Sequence, residues 1–280
     1  MGRIEYSDKY FNVKDTLFCG QIFRFRPYEK GYIVYSEDKA CYVYNENGLA
    51  IVECNDSDEE YFYNFFDLER DYEKIVEKAK SIPVEILIKS ASIGQGVRIL
   101  NQTPIETLYS FIISQNNNIS RIKNIIEKLC VNFGEKREFM GEIYYSFPSS
   151  KSLKNATVEQ LKGVGLGYRA TYIKRLSEEI YQGLNVEAFR KLNTNDLRLS
   201  LTKIYGVGNK VADCVLLFGF HRSDSFPVDT WIEKVYRENF NGKLTDRNKI
   251  SRYFLELFKD YSGYFQQYLF YYKRSIENKR

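Results

Sequence analysis

Histidine is almost missing from this sequence: 280 residues contain one, His221. The side chain that most often supplies metal ligation and acid–base chemistry near neutral pH is therefore nearly excluded. Enzymatic chemistry, if any, must come from Lys, Asp, Glu or Tyr. Cysteine is sparse as well, with five residues at positions 19, 41, 54, 130 and 214. An odd count without CxxC spacing suits reduced, mostly buried thiols better than a disulfide framework or a zinc site. Also absent is any run of about eighteen apolar residues, and the opening MGRIEYSDKYFNVKD lacks the apolar core of a signal peptide. Neither a membrane span nor secretion is indicated, and the default expectation is a cytoplasmic protein.

What remains is a globular composition, 44% hydrophobic, in a chain long enough for two or three packed units. The formal net charge of +4 hides an asymmetry. Residues 1–89 hold 12 Lys/Arg against 18 Asp/Glu, a net of −6, whereas residues 90–280 hold 29 against 19, a net of +10. A basic region behind an acidic one is what a polyanion-binding half looks like, although ordinary solvated helices carry such surpluses too. Motifs have to decide.

Residues 1–55 read as strand. YIVYSEDKACYVYNENGLAIVEC alternates apolar and polar residues, with breaks at Glu37-Asp38 and Asn45-Glu46-Asn47-Gly48, the pattern of a small antiparallel meander. From Asp56 charges run throughout with aromatics on one side, predicting a helical connection that Pro83 interrupts. Thr103-Pro104-Ile105-Glu106 has the elements of a capping box and predicts a helix to about Ser114. The QNNN stretch breaks it, because asparagines compete for backbone hydrogen bonds, and Ile119, Ile122, Ile126 and Leu129 recur at helical spacing beyond. The rest reads as helices joined by short turns. The expected fold is α+β: an antiparallel β domain with its connecting helix over residues 1–95, and a mainly α-helical region over 96–280.

Two stretches echo each other. KGVGLGYRA (162–170) and YGVGNKVA (205–212) each place Gly-Val-Gly between apolar helical segments, as in a helix–hairpin–helix turn. Such a turn presents Gly206, Gly208 and the following backbone N–H groups outward, where a helix N-terminus binds phosphate without sequence preference. It is equally a packing turn between core helices. Nineteen residues after Lys210 comes Asp229, within PVDT. A lysine amine is a nucleophile when neutral, and a carboxylate stabilises positive charge that develops beside it. Taken singly, Lys210 is also a phosphate-binding surface lysine and Asp229 the N-cap of TWIEKVY.

The whole stretch LTKIYGVGNKVADCVLLFGFHRSDSFPVD (201–229) resembles the helix–hairpin–helix DNA glycosylases with a Gly/Pro-Asp loop, in particular their 8-oxoguanine branch. GQIFRF (20–25), SFIISQNNNISRI (110–122), GLGYRA (165–170) and YFQQYLF (264–270) extend the resemblance, in family order, over nearly the entire chain. It implies a core of two helical subdomains, the HhH-GPD core, behind the small sheet. It also implies a bifunctional enzyme in which Lys210 attacks C1′, expels the base and forms a Schiff base that permits strand nicking, with Asp229 assisting. A base inside a duplex is out of reach, so the nucleotide must be flipped and the gap filled. By the resemblance Asn116 fills the gap, Arg121 and Arg169 grip the orphaned cytosine, and Tyr168 wedges beside it. The Gly20 carbonyl accepts the N7 proton that marks the oxidised base, Gln266 reads its Watson–Crick edge, and Phe270 and Cys214 sandwich the ring.

The same resemblance implies a structural monovalent cation on the backbone carbonyls of Thr202, Ile204 and Val207, and no other cofactor. Other branches of the superfamily carry a C-terminal four-cysteine cluster; no cysteine follows Cys214, so an iron–sulfur cluster is not expected. The partner is double-stranded DNA containing oxidised guanine, and a monomer is expected. The alternatives are a glycosylase for another base, or a non-catalytic module that uses its hairpins as phosphate grips. Two departures stand out: Trp231 occupies a position where family members carry histidine, and YFQQYLF is bulkier than the family pattern.

Overall fold

In the computed structural model, which describes residues 1–277, the alternating N-terminal stretch becomes an antiparallel sheet. Its strands are β1 (Gly2–Ser7), β2 (Phe25–Tyr28), β3 (Gly31–Ser36), β4 (Lys39–Glu46) and β5 (Leu49–Cys54). The spatial order is β1-β5-β4-β3-β2, so four consecutive strands form the expected meander and β1 returns to the edge beside β5. Both predicted breaks are tight turns: Ser36 pairs with Lys39, and Glu46 with Leu49. Asn47 and Gly48 have φ of 51° and 80°, the left-handed pair that a two-residue hairpin demands.

Because successive strand residues face opposite ways, the sheet buries both faces. Cys41 and Val43 of β4 join Val34, Ala50 and Val52 in one core, covered by α1 (Val13–Phe18) and α2 (Glu59–Phe65). Ala40, Tyr42 and Tyr44 join Ile33 and Tyr35 in another, to which Phe139 and Tyr144 contribute from a hairpin of β6 (Lys136–Phe139) and β7 (Glu142–Tyr145). Neither α1 nor this hairpin was expected. In α1 the Asn12 side chain caps the Asp15 N–H at 2.9 Å, and the β6–β7 turn rests on Met140 and Gly141 at φ 53° and 76°.

The helical connection consists of α2, α3 (Tyr72–Ser81) and, beyond the break expected at Pro83, α4 (Glu85–Ile93). It breaks at Asp67, whose φ is 53°, and again at Pro83. Tyr72, Ile75, Val76, Leu87 and Ala91 bury themselves in the helical core, so α3 and α4 pack with the helical body and not with the sheet. That body continues through α5 (Pro104–Ser114), α6 (Ile119–Phe133), α7 (Ser150–Asn155), α8 (Val158–Gly163) and α9 (Arg169–Tyr181). It is completed by α10 (Thr194–Thr202), α11 (Asn209–Phe218), α12 (Thr230–Asn239), α13 (Arg247–Phe258) and α14 (Ser262–Glu277).

Pro104 opens α5 as expected, but the capping box does not form, since Thr103 makes no side-chain cap bond. Glu106 turns to Arg24 instead, Oε1 to Nη1 at 3.1 Å, and its Oε2 accepts the Glu37 N–H at 2.6 Å. Arg24 also donates to the Tyr145 carbonyl at 2.8 Å. A desolvated guanidinium is a stronger partner for a carboxylate than a backbone amide at a helix end. This pair joins the sheet, α5 and β7. Arg24→Met strands Glu106 without its cation and should cost about 3–5 kcal/mol in a urea melt, with Arg24→Met/Glu106→Met recovering most of the loss.

Candidate active site

The second hairpin is built from α10 and α11, whose buried Leu197, Leu201, Val211, Cys214, Val215 and Phe218 pack together. Arg198 clamps the two helices with a bidentate grip on Asp213, at 2.7 and 3.0 Å. At the turn Gly206 has φ 88°, and a Cβ there would meet the Tyr172 ring at 2.5 Å, so position 206 admits only glycine. The Gly206 carbonyl is held by the Gln115 amide at 3.0 Å. Gly208 lies at φ −88° as N-cap of α11, with open space around its missing side chain and no side chain capping the helix. The first-turn N–H groups of α11 are thus orphan donors, the arrangement that binds phosphate. Of the three carbonyls expected to hold a cation, that of Ile204 accepts the Val207 N–H at 3.0 Å. Those of Thr202 and Val207 accept none of the turn's backbone hydrogen bonds. Such oxygens suit a hard cation.

Lys210, in the first turn of α11, and Asp229, at the start of α12, face the same cavity of about 660 Å³. A smaller recess of about 60 Å³ shares Gly20, Lys210, Asp229 and Phe270 and adds Cys214 and Gln266. Cys214 is one helical turn beyond Lys210, and burial pushes its thiol up to about 11, leaving a neutral, apolar wall. Gln266 and Phe270 stand one turn apart on α14. Gln266 is 4% exposed and its Oε1 has no partner among the described residues. An orphaned buried acceptor aimed at a recess is a group awaiting a donor. Gly20 faces them at φ 86°, where a Cβ would come within 3.2 Å of the Phe270 ring. Lys210 Nζ lies 5.3 Å from the Phe111 ring centroid, and Phe111 stacks on Phe218.

Asp229 is the N-cap of α12 and a cavity residue at once. Its Oδ1 accepts the N–H groups of Trp231 and Ile232, both at 3.0 Å. Burial raises its carboxyl above the ordinary range, opposed by those N–H groups and by Lys210. At position 231, where the family pattern has histidine, the Trp231 backbone N–H belongs to this cap and its ring lines the cavity, with Lys234 Nζ 5.0 Å from the ring centroid. The extra bulk of YFQQYLF goes into the core, where Tyr264, Phe265, Tyr268 and Leu269 are buried.

Asn116 is exposed at φ 47° in the loop between α5 and α6, and its Nδ2 donates to the Tyr168 hydroxyl at 3.3 Å. Tyr168 is 49% exposed and stands edge-on to Tyr172. The Arg121 side chain is exposed in the first turn of α6. Arg169 is different: it is 3% exposed, with Nε donating to the Gln115 carbonyl at 2.9 Å and Nη2 to that of Asn116 at 3.0 Å. Its guanidinium braces the asparagine loop from beneath. Arg121, Tyr168, Arg169 and Gly206 do not line the cavity or the recess. Gln115, within SFIISQNNNISRI, ties this loop to the hairpin, and neither it nor the Arg198–Asp213 clamp is among the residues the sequence singles out.

Residues 109–260 match the HhH-GPD superfamily base excision DNA repair protein, and residues 3–108 match the 8-oxoguanine DNA glycosylase N-terminal domain. The chain belongs to the HhH-GPD superfamily of base excision DNA repair proteins. Among solved structures, the 8-oxoguanine glycosylase/lyase of Clostridium acetobutylicum, bound to double-stranded DNA with cytosine opposite 8-oxoG, is 36% identical. It superposes with a TM-score of 0.92 over 99% of this chain and 99% of that one. The N-glycosylase/DNA lyase of Saccharomyces cerevisiae is 39% identical over 162 residues, 52% of this chain and 42% of the yeast protein. An Arabidopsis thaliana N-glycosylase/DNA lyase is 30% identical over 191 residues, 63% of this chain and 52% of the plant protein. The match thus spans about half or less of those two curated relatives.

The raised carboxyl of Asp229 has a measurable consequence. The folded state binds the Asp229 proton more tightly than the unfolded chain, which ionises near 3.8, so this group's contribution to stability is lost as pH rises through the folded value. Asp229→Asn keeps a cap acceptor but cannot ionise. In urea melts it should gain on the wild type as the pH rises from about 3.8 through the raised folded value, and a constant or shrinking difference would refute the assignment.

Proposed function

We propose that this protein is a bifunctional 8-oxoguanine DNA glycosylase and abasic-site lyase acting on duplex DNA, preferentially opposite cytosine. The observation that carries the reading is the shared recess: a lysine and a carboxylate face the same space as an unpartnered buried amide oxygen and a left-handed glycine turn. The orphan N–H groups of α11 hold the backbone of the damaged strand, which brings C1′ of the flipped nucleotide to Lys210. The Nζ lone pair forms a bond to C1′ as the C1′–N9 bond breaks, its electron pair leaving with the base, which takes up a proton. Asp229, held by two N–H groups, offsets the positive charge that builds on the sugar. The sugar ring opens to an imine, and loss of a C2′ proton expels the phosphate at C3′ and nicks the strand. Water then hydrolyses the imine and frees Lys210.

Recognition of the base is assigned to the Gly20 carbonyl, which accepts the N7 proton, and to Gln266 at the Watson–Crick edge, with Phe270 and Cys214 on either side. Discrimination follows because a mispaired buried polar group costs about 1–3 kcal/mol. Asn116 enters the gap, Tyr168 wedges beside it, and Arg121 offers guanidinium donors to the N3 and O2 acceptors of the orphaned cytosine. Arg169 sets the loop on which Asn116 rides and has one N–H to spare for the same base. The enzyme acts as a monomer without iron–sulfur cluster or organic cofactor, with a monovalent cation at the hairpin carbonyls. Its substrate puts it in the cytoplasm, on the nucleoid if the source is bacterial.

Borohydride trapping on a duplex with one 8-oxoguanine opposite cytosine tests the reading, beside an undamaged duplex and Lys210→Gln. A covalent adduct is expected only with damaged DNA and intact Lys210. No adduct and no base release from any damaged duplex would leave a DNA-binding module. An adduct with a different lesion would keep the mechanism and overturn the base.

A further inference from the structure

The Gly20 carbonyl accepts no hydrogen bond among the described residues, yet the peptides on both sides of it are fixed. Upstream, two successive carbonyls are held by α14. Gln267, 2% exposed, donates from Nε2 to the Cys19 carbonyl at 2.9 Å, and Arg274 donates from Nη1 to the Phe18 carbonyl at 3.0 Å. One more contact ties the same segment down, from the Tyr271 hydroxyl to Asp15 at 2.6 Å. Residues 267, 271 and 274 recur at i, i+4 and i+7, so they form one stripe along α14 facing residues 15–20. Downstream, Gln21 is buried, its Nε2 donating to the Arg98 carbonyl at 2.7 Å and its Oε1 accepting the Leu100 N–H at 2.9 Å.

Gly20 is therefore a free acceptor suspended between two clamps. At φ 86° it occupies a conformation in which small rotations of the flanking peptides swing the carbonyl widely, and glycine itself resists such rotations least of all residues. Holding the adjacent carbonyls is the way to aim a group that has no side chain by which to be held. We propose that Gln267 and Arg274 are positioning residues for base discrimination: they lock the Phe18–Cys19 peptides to α14 and so aim the Gly20 carbonyl at the N7 position of the flipped base. Because Gln266 and Phe270 are on the same helix, the clamp also fixes the distance between the two sides of the base pocket. The inference rests on the reading of Gly20 as the N7–H acceptor.

An abasic site has no base and makes no use of Gly20, which separates aiming from general damage to the fold or to DNA binding. Gln267→Leu, Arg274→Met and Arg274→Lys are to be compared with wild type in single-turnover base release from 8-oxoguanine opposite cytosine and in nicking of an abasic site opposite cytosine. The ratio of base release to nicking should fall about tenfold in Gln267→Leu and Arg274→Met, the loss of one hydrogen bond, and Arg274→Lys should restore most of it because it keeps a donor. If both rates fall together, these residues serve the fold or the DNA backbone and the proposal is overturned; an unchanged ratio overturns it equally. A wild-type protein that nicks abasic DNA but leaves 8-oxoguanine in place removes the reading of Gly20 and the clamp with it. Failure of both wild-type reactions removes the enzyme reading as well.

Discussion

Arg98 has no contact with solvent, and carbonyl oxygens from separate stretches of chain solvate its guanidinium instead. Nε donates to Phe66 at 2.8 Å, Nη1 to Tyr10 at 3.3 Å, and Nη2 to Arg70 at 3.3 Å and to Asp67, while the Tyr72 ring lies 4.0 Å from the charge. Burying a cation is costly unless nearly every N–H finds an acceptor, so these segments cannot drift independently. The same residue anchors the Gly20 turn through its main chain, because its carbonyl receives the Gln21 amide and its N–H donates to Thr16 at 3.1 Å. The turn carrying Gly20 hangs from this junction of sheet, connection and helical body.

The groups proposed to react with the sugar and those proposed to read the base are held by different means. Lys210 and Asp229 stand at the beginnings of two helices, where backbone geometry fixes the side-chain root and, for Asp229, the carboxylate itself. The readers are a backbone carbonyl in a turn and a buried amide on the last helix. Electrostatic stabilisation demands little more than proximity to the sugar, whereas telling one proton from none demands an acceptor at a defined point.

How much of this was legible follows from the range of the forces involved. Gly206, Lys210 and Asp229 were readable because a hairpin and an N-cap are local events, written within a few residues. The strand turns at Glu37-Asp38 and Asn47-Gly48 were readable for the same reason. The Glu106 capping box failed because its competitor, Arg24, lies 82 residues away and reaches it only in the folded chain. Arg169 turned inward because the loop above it offers two carbonyls in reach of one guanidinium, which no spacing in the sequence encodes. Gln267 and Arg274 were invisible for a like reason, since their partners are backbone atoms near the other end of the chain.

That last separation bears on the order in which capacities arise during synthesis. The Cys19–Gln267 hydrogen bond closes a span of 248 residues, so the recess proposed to hold the base cannot exist until α14 has docked onto the N-terminal segment. The hairpin and its lysine, by contrast, are complete long before. On the proposed reading, discrimination needs α14 in place whereas the hairpin turn does not include it, so loss of α14 would remove the base wall while leaving the hairpin's own residues untouched.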